Sequence, residues 1–195
     1  IGVSKDKPSK NSIALLNSKK FNIKEYFIDI RNLKKIENIF KKHKPDFIFH
    51  LAAQSLVSES FKDPQYTWET NLIGSLNIMR AFHDYNSKNT LILVTSDKCY
   101  KNFEKRRGYR EDDILGGYDP YSASKASIEI CFESFFKSFM SDKTKIATAR
   151  AGNVIGGGDW SENRIVPDCI KNWSQKKIVK IKNPRSTRPW QHVLE

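Results

Sequence analysis

The sequence predicts an α/β fold, a doubly wound parallel sheet, and three observations carry that prediction. Three short apolar runs, 46–51, 90–95 and 145–149, read as buried strands. The first lacks the alternation of a half-solvated strand, as expected for a parallel sheet covered on both faces. Stretches of helical periodicity separate these runs, over 33–42, 64–85 and 121–140. The middle strand also runs directly into Ser96-Asp97-Lys98, and strand tips are where open α/β sheets place their chemistry.

Taken in order, Ile1 to Lys10 is polar and reads as a loop leaving a truncated strand. Ser12 is placed to cap a short helix over Ile13, Leu15 and Leu16. Glu25 to Ile30 reads as a strand because Tyr26-Phe27-Ile28 favours β structure. Asn32 caps a helix from Leu33 to Lys42 that places Leu33, Ile36, Ile39 and Phe40 on one stripe, and Pro45 ends it. The strand from Asp46 runs into His50-Leu51-Ala52-Ala53-Gln54, whose small residues let a ligand lie against the backbone. His50 reads as a core histidine. Asp63-Pro64 starts a helix that reaches about Tyr85 through Trp68, Leu72, Leu76, Met79 and Phe82. Asn71, Gly74 and Asn77 interrupt it. A mid-helix glycine costs about 1 kcal/mol relative to alanine, so Gly74 marks close packing against the sheet.

Thr90 to Thr95 is the central strand, and the charged run Lys101 to Asp113 reads as a solvated loop beside the site. Pro120 suits the first turn of a helix. That helix continues to about Met140 with Ile128, Phe132, Phe135, Phe136 and Phe139 at helical spacing, either core or an interface with a second subunit's equivalent helix. Lys145 to Ala149 is a further buried strand. Gly152 to Gly158 is a flexible turn where backbone can approach a ligand. Arg164-Ile165-Val166-Pro167 opens a helix, Ile178 to Ile181 reads as a short alternating strand, and Trp190 to Val193 is strand-like.

The chain has 195 residues, of which 38% are hydrophobic and 12% aromatic, enough for one domain with a real core. Net charge is +12, but the lysines are scattered and interleaved with acids, and no nucleic-acid-binding signature accompanies them. Nucleic acid is therefore not the expected partner; anionic small ligands fit the same excess. No apolar run approaches the roughly 18 residues of a membrane span, and Cys99, Cys131 and Cys169 show neither a disulfide framework nor metal spacing with the four histidines. A cytoplasmic protein with no membrane association and no metal is expected. The chain starts with Ile1, and Gly2 is its only glycine before position 74. No glycine-rich first βα turn is present to seat a pyrophosphate. The sequence thus reads as an internal part of a longer protein, inactive on its own.

Tyr121 and Lys125 lie four apart, on one helix face. An ammonium near a phenol favours the phenolate, which makes a proton acceptor for an alcohol undergoing oxidation. Tyr121-Ser122-Ala123-Ser124-Lys125, with Ser96 twenty-five positions upstream at a strand end, resembles the Ser/Thr-Tyr-Lys core of the extended short-chain dehydrogenases/reductases. Asp97-Lys98 after Ser96 is similar to the acid–base pair of the nucleotide-sugar 4,6-dehydratases, most of which carry Asp-Glu or a Glu there. The lysine, with Leu115-Gly116-Gly117-Tyr118-Asp119-Pro120 and the run Ala149 to Trp160 downstream, resembles the CDP-glucose branch of that family.

The resemblance implies a Rossmann-like NAD-binding domain over 1–153, lacking its first βα unit, and the start of a smaller nucleotide-sugar-binding domain over 154–195. It implies NAD as cofactor, CDP-glucose as substrate and a homodimer for the full-length protein. The catalytic set is Ser96, Asp97, Lys98, Tyr121 and Lys125. The cofactor set is Asp29, Ile30, Leu51, Ala52, Ala53 and Gln54 with Tyr121 and Lys125. The sugar-nucleotide set is Ser55, Asn153, Arg164 and Arg188. For Asp29 a helix-capping role is the competing reading, and Lys98 stands either as the base at C5 or as an electrostatic stabiliser. A nucleotide-sugar 4-epimerase or another reductase of the superfamily needs Tyr121 and Lys125 but neither Asp97 nor Lys98. A non-catalytic scaffold is the remaining alternative, and the joint presence of all five residues argues against it.

Overall fold

β1 (Gly2–Ser4) and β2 (Glu25–Phe27) pair in parallel, Gly2 opposite Glu25 and Ser4 opposite Phe27. In this computed structural model the described residues are 1–8, 20–85, 89–141, 144–161, 163–181 and 183–195. These fall into two units, one of the described residues within 1–7 and 25–151, the other of those within 8–24 and 152–195. The start of the chain is therefore strand where a loop was expected, because its partner is distant in sequence and invisible to local pattern. β2 stops short of Ile30 because the chain turns at Asp29, whose carboxylate accepts the Arg31 N–H at 2.9 Å. The helix predicted over Ile13, Leu15 and Leu16 lies outside the described residues.

α1 (Leu33–His43) begins as the sequence indicates, with the Lys35 N–H donating to Asn32 Oδ1 at 3.1 Å. It buries Ile36, Ile39 and Phe40, and a left-handed Lys44 ends it one residue before Pro45. β3 (Phe47–His50), β4 (Thr90–Ser96) and β5 (Lys145–Ala151) form a parallel sheet in that order. α2 (Val57–Lys62), α3 (Pro64–Trp68) and α4 (Gly74–Asp84) link β3 to β4, and α5 (Pro120–Phe139) lies between β4 and β5. The fold class is as predicted.

β4 buries Leu91 and Leu93 fully on one face, while Thr90, Ile92 and Val94 on the other are half-buried. β3 departs from the expectation: Phe47 and Phe49 are 68% and 65% exposed, while His50 is buried. β5 also alternates, exposing Lys145, Ala147 and Ala149 on one side. Between β3, β4 and the helices lies one core built from Ile30, Ile36, Phe40, Met79, Phe82, Leu91, Leu93, Ile128 and Phe135. At about 25 cal/mol per Å² of apolar surface removed from water, such a cluster is the main stabilising term.

The single helix expected over 64–85 is broken by a π turn, Glu69–Ile73, between α3 and α4. Asp63 caps α3 as expected, accepting the Tyr66 N–H at 2.9 Å. Gly74 marks close packing, but against the loop after β2 and not against the sheet: a Cβ there would lie 2.5 Å from Ile30 Cδ1. α5 starts at Pro120 with Asp119 as its cap, which accepts the Ser122 N–H at 2.9 Å and the Ser122 hydroxyl at 2.6 Å.

The second unit contains β6 (Asn153–Ile155), α6 (Ile165–Ser174) and β7 (Trp190–His192), with β6 and β7 paired in parallel. A strand thus occupies part of the turn expected over 152–158. Residues 178–181 do not form the predicted strand; Ile178 is 89% exposed, and four alternating residues are too few to specify a pairing. Among the described residues, no helix is long and apolar enough to cross a membrane, and no cluster of three His, Cys, Asp or Glu side chains is arranged to hold a metal ion.

Candidate active site

The tip of β4 turns directly into a 3-10 turn, Asp97–Cys99, capped by Ser96. The buried Ser96 hydroxyl accepts the Lys98 N–H at 3.3 Å and donates to Asp97 Oδ1 at 3.1 Å. Cys99 is fully buried beneath the turn, and burial pushes its thiol up to about 12. A thiol so placed anchors and does not react. Asp97 and Lys98 are left half-exposed on the outside of the turn.

The first turn of α5 supplies the opposing wall. Tyr121 and Lys125 share its inward face and are 8% and 5% exposed. The Lys98 ammonium stands 5.8 Å from the centroid of the Tyr121 ring. The Lys125 ammonium donates to the Val94 carbonyl at 3.3 Å, two residues before Ser96 on the same strand. Burial pulls Lys125 down to about 8, against the raising influence of Cys99 and Glu129. The five predicted catalytic side chains therefore gather where β4 meets α5. A buried amine behind a phenol, a half-exposed amine over its ring and a carboxylate beside that amine in the chain suit proton transfer to and from a polyhydroxy substrate.

Five of the predicted cofactor residues, Asp29, Ile30, Leu51, Ala52 and Ala53, line a single cleft of about 760 Å³. Arg31 grips both oxygens of Asp29, with Nη2 at 2.9 Å and Nε at 3.1 Å, and holds that carboxyl below the usual carboxylate range. Asp29 is not the cap of α1; Asn32 is. An apolar floor with small residues at Ala52 and Ala53 and one fixed carboxylate at its rim fits a flat heteroaromatic ring and its ribose. Gln54 sits differently. Its amide donates to Thr67 Oγ1 at 2.9 Å and accepts the Leu56 N–H at 2.6 Å, so the side chain braces its own loop. Ser55 is exposed.

Several residues of the site carry no strong local signal. Asn71, fully buried in the π turn, accepts the Gln54 N–H at 2.8 Å and donates to the Gln54 carbonyl at 3.1 Å and to Ser124 Oγ at 2.9 Å. It ties the loop after β3 to the catalytic helix. A polar residue in an apolar helical stretch was the one clue, and it points to structure. His50 Nε2 lies 2.9 Å from Ser75 Oγ, and burial together with the Lys125 charge lowers the imidazole to about 4. Glu129, one turn beyond Lys125, is buried and receives the hydroxyls of Thr95 and Thr148.

The charged run 101–113 is more than a solvated loop. Its neck is a short antiparallel ladder, with Gly116 N–H on the Cys99 carbonyl at 2.8 Å, Lys101 N–H on the Ile114 carbonyl at 2.9 Å, and Tyr100 paired with Leu115. Inside it, Asp113 takes Lys105 at 2.6 Å, Arg107 at 2.7 Å and the Arg110 N–H at 2.9 Å. Those bonds hold the Asp113 carboxyl well below its ordinary range.

In the second unit, Asn153 opens β6 opposite Trp190, with its N–H on the Pro189 carbonyl at 2.8 Å. Arg188 lies two residues before Trp190 and is exposed, so it shares one end of the β6–β7 pair with Asn153. Arg164 precedes α6 and is half-buried.

The profile of the family described as GDP-mannose 4,6 dehydratase matches residues 3–195. A CDP-glucose 4,6-dehydratase of Salmonella typhimurium is 42% identical over 173 residues, 86% of this chain and 48% of that protein. A dTDP-D-glucose 4,6-dehydratase of Dictyostelium discoideum is 33% identical over 162 residues, 78% of this chain and 36% of that protein. Among solved structures, a UDP-glucose 4-epimerase of Thermotoga maritima with UDP-glucose superposes with a TM-score of 0.84 at 27% identity, covering 98% of this chain and 60% of that one. The chain spans about half the length or less of these curated relatives.

Proposed function

The chain belongs to the GDP-mannose 4,6-dehydratase family, and from that premise we propose that it carries the catalytic part of an NAD-dependent CDP-glucose 4,6-dehydratase, a hydro-lyase giving CDP-4-dehydro-6-deoxyglucose. The observation that carries this reading is the Asp97-Lys98 pair at the tip of β4, with Lys98 over the Tyr121 ring. An epimerase has no task for such a pair. The similarity to a CDP-glucose 4,6-dehydratase at 42% identity supports the choice of nucleotide.

Tyr121, as phenolate, accepts the proton of the sugar 4-hydroxyl, aided by the buried positive charge of Lys125 and by Ser96. NAD, held along Asp29, Ile30, Leu51, Ala52, Ala53 and the loop of Gln54, supplies the hydride acceptor and donor when bound. The 4-ketone acidifies the C5 hydrogen. Lys98 acts there, either accepting the proton as a neutral amine or holding the enolate as an ammonium. Asp97 protonates the departing 6-hydroxyl, and water leaves. Ser55, Asn153, Arg164 and Arg188 bind the sugar nucleotide, arginine being suited to phosphate because its fork binds two oxygens at once.

For the division of labour we propose a nucleotide-binding domain over 1–153 and the start of a sugar-nucleotide domain from 154. The full-length protein is proposed to be a cytoplasmic homodimer. Exposed Ile130 and Phe139 on α5 support a helix–helix interface, and three free cysteines suit a reducing compartment. The test is turnover by the full-length protein of CDP-, GDP- and dTDP-glucose side by side, read by the absorbance of 4-keto-6-deoxy sugars in alkali. Selective conversion of CDP-glucose is expected. A 4-epimer with no keto product would replace the dehydratase reading by the epimerase one, an activity found on the same fold.

A further inference from the structure

We propose that Arg150 is a positioning residue that fixes the Asp97–Lys98 turn opposite Tyr121, an inference that rests on the dehydratase reading. Its guanidinium stands at the junction of three elements. Toward α5, Nε lies 3.2 Å from Glu129 Oε1 and Nη2 donates to Glu129 Oε2 at 3.3 Å. Toward the catalytic turn, the guanidinium lies over the Tyr100 ring, 4.7 Å from its centroid. Tyr100 is the residue that ends the 3-10 turn, its N–H directed at the Asp97 carbonyl at 3.5 Å. Toward the charged excursion, Nη1 donates to the Glu111 carbonyl at 3.0 Å. The stack continues outward, Tyr109 lying on Tyr100 with ring centroids 5.0 Å apart.

Register places this junction beside the reacting groups. Arg150 pairs with Thr95, so it neighbours Ser96 across the β4–β5 ladder. Glu129 lies one helical turn beyond Lys125, and it also holds the hydroxyls of Thr95 and Thr148. The column Glu129–Arg150–Tyr100 thus spans from the helix that carries Tyr121 and Lys125 to the turn that carries Asp97 and Lys98. Arg150 acts through those residues and not on the sugar.

The junction needs arginine. One planar group makes two contacts with a carboxylate, lies flat on a ring and keeps an N–H for a carbonyl. A lysine ammonium has no plane to lie flat on the ring and no spaced pair of N–H groups to match the carboxylate. The Arg150 and Glu129 side chains are 16% and 5% exposed, so water is poorly placed to substitute for a lost contact.

The test uses R150K and Y100L in the full-length protein. R150K is expected to lower kcat on CDP-glucose roughly 10- to 100-fold, with KM for the sugar changed less than about threefold, since misplacement of reacting groups and not binding is the loss. Solvent deuterium entry at C5 should fall with kcat, while the thermal midpoint stays within a few degrees. Trypsin should cut after Arg106 or Arg107 about tenfold faster than in wild type, because an excursion released from Arg150 opens locally. Y100L, which removes the ring, should reproduce both effects. Wild-type cleavage and wild-type kcat in R150K would overturn the proposal, as would a loss of kcat that only tracks the folded fraction. The trypsin comparison needs no turnover: a wild-type protein yielding no keto sugar refutes the dehydratase reading, while the cleavage contrast still decides whether Arg150 holds the excursion.

Discussion

The Lys98 ammonium lies 5.8 Å from the centre of the Tyr121 ring, so the cation that ends one catalytic segment rests on the phenol that begins the other. The pair joins the two halves of the site: the turn after β4 and the first turn of α5. It also gives Lys98 two places to act, on the sugar at C5 and on the ionisation of Tyr121.

Replacing Lys98 by Met separates those roles. The expected result is a fall in kcat of about 10²- to 10⁴-fold, the usual worth of a positioned acid or base, with solvent deuterium no longer entering C5. Unimpaired exchange would remove Lys98 as the C5 base. Loss of the cation also removes a positive charge that stands over the Tyr121 ring.

Lys125 gives a stability signature of its own. Burial lowers it from 10.5 to about 8 in the folded protein. Between those values the unfolded chain holds the extra proton, so the stability contribution of this group rises with pH across that window, and the burial cost is fully present below it. Lys125→Met should therefore abolish turnover yet stabilise the fold near neutral pH, by on the order of 2–3 kcal/mol. That advantage should shrink as pH rises from about 8 to about 10.5. Denaturant midpoints at the two ends of the window check it; a variant weaker than wild type near neutral pH contradicts it.

At the acid end, His50 plays the corresponding part. Burial, then the Lys125 charge, lowers it to about 4 from its ordinary 6.5. The unfolded chain binds the proton first as pH drops, so stability present above about 6.5 is lost on the way down to about 4. His50→Gln, which keeps a polar partner for Ser75, should flatten that loss. Thermal midpoints from about pH 7 to about pH 4 for both proteins measure the difference, and parallel curves would refute the assignment.

Asn71→Ala should destabilise the protein by about 2–4 kcal/mol, because it leaves the Gln54 N–H and carbonyl without their buried partner. Chemical denaturation reads the loss directly. A cost under about 0.5 kcal/mol would mean that water takes over those bonds.

Much of this was legible from local pattern. The apolar stripe of α1, its Asn32 cap and the Asp-Pro starts of α3 and α5 are short-range signals, and each helix formed where they place it. The spacing of Tyr121 and Lys125 was enough to put both on one buried face. What escaped is non-local. β1 is a strand only because Glu25–Phe27 pairs with it. Glu129 on α5 and Arg150 on β5 look like solvated charges until the helix packs on the sheet and brings them together. Asp113 reads the same way, although three cationic and amide donors converge on it. Ile178 to Ile181 errs in the opposite direction: the right pattern over too few residues, with no strand formed.

The π turn at Glu69–Ile73 has a further consequence, for tolerance to length change. It holds one residue beyond what the α repeat requires. Deleting a single residue there would hand the backbone a more regular hydrogen-bond ladder and leave the faces before and after it nearly in phase, because the surplus residue is taken up within one turn. What would move is Asn71, which lies inside the turn and holds both the Gln54 N–H and Ser124. A lineage that lost the surplus residue would gain a better helix and forfeit the brace between the loop and the catalytic helix.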